Sequence, residues 1–115
     1  MRKYDPENHR HRRDLAGEIQ AKLTACGFTR DRTVRSKEQV WTRSDRRGFT
    51  VKVYTSIYGR SVRKNGTDAI RVCATKGGRG LVKTTRVNRT GEIDGIVDRM
   101  HNRMRTVWKT AVSRS

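Results

Sequence analysis

The side chains in this chain best suited to chemistry are cationic, and they gather between positions 58 and 90. That stretch holds Arg60, Arg63, Lys64, Arg71, Lys76, Arg79, Lys83, Arg86 and Arg89 against one acid, Asp68. A guanidinium is a rigid fork of donors that meets two phosphate oxygens at once and can also stack on a base. Lys52, Tyr54 and Tyr58 lie just upstream. A phenol ring among cations can stack on an unpaired base, which is worth ~1–3 kcal/mol per base. A lone tyrosine on a strand is also simply a good β-former. The candidate contacts are thus Lys52, Tyr54, Tyr58, Arg60, Arg63, Lys64, Arg71, Arg79, Lys83, Arg86 and Arg89, and the chemistry they suit is phosphate recognition.

Other constellations are weaker. Gly77-Gly78-Arg79-Gly80 has the glycines to bring backbone amides to a phosphate, but a hairpin turn needs the same residues. His9 and His11 are two apart and diverge on a helix, so they do not form a metal pair. Cys26 and Cys73 are too few for a disulfide framework or a zinc site and read as small hydrophobes. No metal or other cofactor is called for. No nucleophile motif appears, and a Mg²⁺-dependent nuclease would need clustered carboxylates where Asp68 stands alone between Asp45 and Glu92. A small basic nuclease working without metal would draw on Tyr54, Arg71 and His101. The catalytic set is therefore empty, and binding is the leading class.

The totals agree. The 115 residues carry 28 Lys+Arg and 11 Asp+Glu, a formal net charge of +17. Such an excess attracts polyanions: nucleic acid, an anionic membrane or an acidic protein. Twenty of the basic residues are arginine. A GC-rich genome explains arginine in place of lysine, but not the size of the excess. No apolar run approaches the ~20 residues of a membrane span, and the first residues lack the apolar segment of a secretory signal. A cytoplasmic protein without a membrane role is expected.

These residues need elements to hold them. Asp5, Pro6 and Glu7 form a helix start, and Leu15, Ile19, Leu23 and Cys26 form one stripe, predicting a helix from about Pro6 to Cys26 that stops at Gly27. Gln39 to Arg43 reads as a short strand in which Trp41 fits either face. Phe49 to Thr55 alternates, with Lys52 and Tyr54 opposite Phe49, Val51 and Val53. Asp68 to Ala74 alternates again with Arg71 outward, and Leu81 to Val87 makes a last strand. Thr90 is the expected cap of a second helix whose Ile93, Ile96, Val97, Met100, Met104, Val107 and Trp108 share a broad apolar face. Arg99, Arg103 and Lys109 fall off that face.

A sheet with one apolar face and two apolar helix stripes suggests a single α+β domain over residues 1–115. Its expected plan is an N-terminal helix, a three- to four-stranded antiparallel sheet and a C-terminal helix, with both helices on one face of the sheet. The other face would carry the basic side chains, and residues 1–5 and 112–115 would be loosely held. An open sheet edge would suit a second copy of the chain.

The segments VKVYTSI (51–57), DAIRV (68–72) and RVNRTG (86–91) resemble small basic proteins encoded by actinobacterial phages, over roughly residues 49–105. The resemblance implies a phage origin, the cytoplasm of an infected host and a GC-rich genome. It also raises a second partner class, a host protein that the chain would bind and disable. The element order looks like that of double-stranded-RNA-binding domains, and the sheet-plus-helix core is similar to that of strand-annealing proteins. The leading expectation is nucleic-acid binding, DNA or RNA, in phage replication, recombination or expression.

Overall fold

The computed structural model describes residues 2–33, 38–57 and 70–114. Helix α1 spans His9–Ala25, and strands β1 (Thr29–Arg30), β2 (Gln39–Ser44), β3 (Phe49–Thr55), β4 (Ile70–Lys76) and β5 (Arg79–Val87) precede helix α2 (Ile93–Ser113). The strands form one antiparallel sheet in the order β1-β2-β3-β4-β5. The class is α+β, and the sheet has five strands rather than three or four. The additional strand, β1, is two residues that pair Thr29 with Thr42 and Arg30 with Trp41.

Both helix starts differ from expectation, each for a local reason. Asp5 closes a turn by accepting from the Glu7 amide. Asn8 then caps α1, its side chain accepting from the Arg10 and His11 amides. Thr90 does not cap α2. Its amide is held by the Asn88 side chain, and Glu92 occupies the cap position without a side-chain bond. The N-terminal segment substitutes: the Arg2 carbonyl accepts from the Ile93 amide and Tyr4 donates to the Gly91 carbonyl. Lys3 pairs with Glu92 and Tyr4 is buried, so residues 2–4 are tied to the start of α2.

The sheet sorts its residues by the two-residue period of a strand. Phe49, Val51, Val53 and Thr55 of β3 and Ile70, Val72 and Ala74 of β4 are buried on the inner face. Trp41 joins them, opposite Val53. Across this face lies α2, burying Ile93, Ile96, Met100, Met104, Val107 and Ala111. Helix α1 packs mainly against α2 and adds Leu15, Ile19 and Leu23 to the same core. Trp108 is only partly buried and meets Phe49 edge-on, with ring centres 6.4 Å apart. A pair of that geometry contributes ~0.5–1.5 kcal/mol beyond its buried area.

The turn between β4 and β5 is Gly77-Gly78, both at positive φ (55° and 81°), with Lys76 opposite Arg79. A two-residue hairpin loop of that hand needs positive φ at both positions, which is why glycine occupies them.

Candidate nucleic-acid interface

Helix α2, at about 1.5 Å per residue, and strand β5, at about 3.3 Å, each run for roughly 30 Å. Two arginines fasten them together near their ends. Arg114 donates to the Leu81 carbonyl at 2.8 Å. Arg99 donates to the carbonyls of Asn88, at 3.0 Å, and Thr90. A Cβ at Gly95 or Gly91 would make only ordinary van der Waals contact with Nη1 of Arg99, at 3.4 and 3.7 Å, so the reach does not depend on either glycine. Gly91 is required instead by its positive φ of 100°.

Between the fastenings the helix and the strand leave a polar cleft of about 300 Å³. Arg99, Asn102, Arg103 and Thr106 line it from α2, and Arg86, Val87 and Asn88 from the end of β5. The helical set falls at i, i+3, i+4 and i+7, one face of one helix. No described carboxylate lines the cleft. Among the described residues, neither Arg86 nor Arg103 has a hydrogen-bond or ion-pair partner. The arrangement offers three guanidinium groups and two amides to an anion with several acceptor oxygens.

The acids lie elsewhere. Glu18, Asp94 and Asp98 border the shallow groove between α1 and α2. Arg2 pairs there with Asp14 and Glu18. Among the described residues, three acids thus border the groove between the helices and none lines the cleft beside β5.

The outer face of the sheet is less available than its residue types suggested. One row of opposed residues crosses it as Val40, Tyr54, Arg71 and Arg86. Exposure rises along that row, from buried Val40 through half-buried Tyr54 and Arg71 to exposed Arg86. The Arg71 guanidinium lies 4.7 Å from the centre of the Tyr54 ring and pairs with Glu38, which also accepts from Ser56. Burial, with Cys73 beside it, pushes the Tyr54 hydroxyl above the ordinary tyrosine range. One face of the ring is covered and the adjoining cation is neutralised.

The remaining candidates separate clearly. Lys52 is half-buried on the outer face, while Arg79, at the hairpin, and Lys83 are exposed. Lys83 and Thr84 stand together opposite Cys73, where the β4–β5 register shifts. Arg89 departs from the expected surface contact: it is 8% exposed, and its Nη1 is buried without a hydrogen-bond partner. It lies two residues beyond the end of β5, in the connection to α2, where the chain turns inward. Tyr58, Arg60, Arg63 and Lys64 lie outside the described residues.

Tyr54 and Arg71 are brought together, but His101 is not with them. It lies on the flank of α2 toward β2, lining a second cavity with Val51 of the inner face. Desolvation, aided by Lys22 and Arg105, holds its imidazole below the ordinary histidine range. The three residues suspected for metal-free nuclease chemistry therefore stand on two sides of the sheet. Among the described residues no three His, Cys, Asp or Glu side chains cluster as metal ligands would, and no helix is long and apolar enough to cross a membrane.

Arg99 and Arg103 were not singled out from sequence as contacts. Their signal was present in the stripe 99, 102, 103 and 106, which is cationic or polar throughout and lies away from the apolar face. No family model, curated protein or solved structure matches the chain.

Proposed function

We propose that this protein binds nucleic acid by gripping phosphates along β5 and the adjoining flank of α2. The observation that carries the reading is the convergence of Arg86, Arg99 and Arg103 on one cleft that no described carboxylate enters. Counter-ions released from the nucleic acid drive such binding, so affinity falls steeply with salt. Arg79 and Lys83 extend the cationic track along β5 toward the hairpin, and Lys52 adds to it from the outer face. The groups lining the cleft are guanidinium and amide donors suited to phosphate oxygens, so the proposed contacts are to backbone and tolerate sequence. Within this reading the protein acts in the cytoplasm of an infected host, in phage DNA replication, recombination or expression.

The exposed β5 edge discourages self-pairing. It carries Arg79, Lys83 and Arg86 and an irregular register, and charges and bulges are the features that keep sheet edges apart.

The test is fluorescence anisotropy with labelled single- and double-stranded DNA and RNA, using protein stripped of carried-over nucleic acid. Binding at low salt by at least one form supports the proposal. No binding by any form ends it.

A further inference from the structure

The cavity on the opposite flank of α2 differs in character. Cys26, Phe28, Val51, Met104 and Trp108 wall it, and it encloses about 270 Å³. Its rim is Arg43, His101, Arg105 and Lys109, with no described carboxylate. The Trp108 indole is held in place. Phe49 meets it edge-on, and the Arg43 guanidinium lies 5.7 Å from the ring centre while donating to the Cys26 carbonyl at 2.9 Å. Arg105 and Lys109 are exposed, and among the described residues their side chains have no hydrogen-bond or ion-pair partner. An apolar aromatic slot ringed by cations suits a flat ring attached to an anion.

We propose that this cavity receives one unpaired base of a single-stranded nucleic acid, with the flanking phosphates on Arg105 and Lys109. The inference rests on the phosphate-binding reading above and extends it to strand form. A helix with its side chains is about 10–12 Å across, so one strand reaches from the arginine cleft on one flank to the base slot on the other. Asn102, Arg105 and Lys109 are exposed along the ridge between, at i, i+3 and i+7. A duplex would have to unstack a base to fill the slot, at a cost of a few kcal/mol. The protein therefore prefers single strands. An acidic peptide with one apolar side chain has related chemistry, but it would not explain the cationic path across α2 to the first cleft.

The experiment compares a thymidine oligonucleotide with an abasic deoxyribose-phosphate oligomer of equal length, on protein labelled with 5-fluorotryptophan. The protein has two tryptophans, Trp41 in the core and Trp108 at the cavity, and Trp41→Phe assigns the two fluorine resonances. The expected result is at least tenfold tighter binding of the thymidine strand, with the Trp108 resonance shifted and that of Trp41 unmoved. Cys26→Phe, which fills the cavity, should abolish the difference. The binding comparison and the resonance shift are read on the unaltered chain, with Trp41→Phe used only for assignment, so a misfolded Cys26→Phe leaves the test intact. Equal binding of both oligomers with Trp108 unmoved overturns the base site and leaves the phosphate reading standing. Binding of neither overturns the base site, and removes the phosphate reading as well only if duplex DNA and RNA also fail to bind at low salt. A leucine-bearing acidic peptide that shifts Trp108 where thymidylate does not would assign the cavity to a protein partner and overturn the inference.

Discussion

On the outer face of the sheet, Arg71 lies on the Tyr54 ring and pairs with Glu38. One strand farther along the same row, Arg86 is exposed and faces Arg99 and Arg103 across a cleft bordered by no described acid. The two arginines are directly opposed in the register, yet one is neutralised within the fold and the other is free to meet a ligand. Arginine density along the chain therefore overstates the outer face and misses the flank of α2. What decides whether a cation can bind phosphate is the carboxylate, or its absence, within reach.

The strongest way to break this contrast is to reverse the free charges. Arg86→Glu with Arg103→Glu should weaken oligonucleotide binding by about 100-fold at low salt, because two attractive phosphate contacts become repulsive. Anisotropy titration checks it, with circular dichroism to confirm the fold. Arg99→Ala should act through geometry as well as charge. It removes the fastening to the Asn88 and Thr90 carbonyls, and affinity should fall about tenfold with a lowered melting temperature.

On the other side of the contrast, Arg71→Ala should change affinity by less than about twofold. It should cost about 1 kcal/mol of stability, since a half-exposed ion pair and its ring contact are worth roughly that much. Denaturant unfolding beside a binding titration separates the two effects. Glu38→Gln sharpens the comparison from the opposite direction: with Arg71 no longer neutralised, affinity should rise about twofold.

A smaller effect concerns pH. The folded state holds His101 below the ordinary histidine value, through desolvation first and then Lys22 and Arg105. The unfolded chain therefore takes up that proton more readily, and stability falls as pH drops from about 6.5 toward the lowered folded value. His101→Gln should flatten the dependence, read as melting temperature at pH 7.5 and pH 5.5.

Much of the fold was legible because it rests on period and punctuation. The alternation of Phe49, Val51 and Val53 gave β3 its inner face, and Gly77-Gly78 marked the hairpin. The apolar stripe through Met100, Met104 and Val107 gave α2 its buried side. Elements that depend on distant partners were not legible. Strand β1 is two residues long and shows no period; it exists because Thr29 and Arg30 can pair with β2. The start of α2 is held by the carbonyl of Arg2, about ninety residues away in sequence, which no local cap signal reveals.

The candidate site divides in the same way. Arg79, Lys83 and Arg86 were legible as cations on a β-rich segment and are exposed. The neutralisation of Arg71 was not, because Glu38 precedes it by 33 residues and reaches it only through the pairing of β2, β3 and β4. The burial of Arg89 was not legible either, because the residue follows the end of β5 and its burial is set by packing in the connection to α2 rather than by strand period. Its buried guanidinium with an unpartnered nitrogen costs stability. Arg89→Met should accordingly raise the melting temperature by a few degrees, on the order of 1 kcal/mol.

The central claim is that Arg86 and Arg103 are phosphate contacts, and the salt dependence of binding tests it most directly. For the unaltered protein, log affinity against log salt should be linear, with a slope equivalent to ~4–8 phosphates. In Arg86→Ala with Arg103→Ala, that slope should fall by the equivalent of about two phosphates. An unchanged slope in a folded double variant would contradict the account and place the phosphate contacts elsewhere on the molecule.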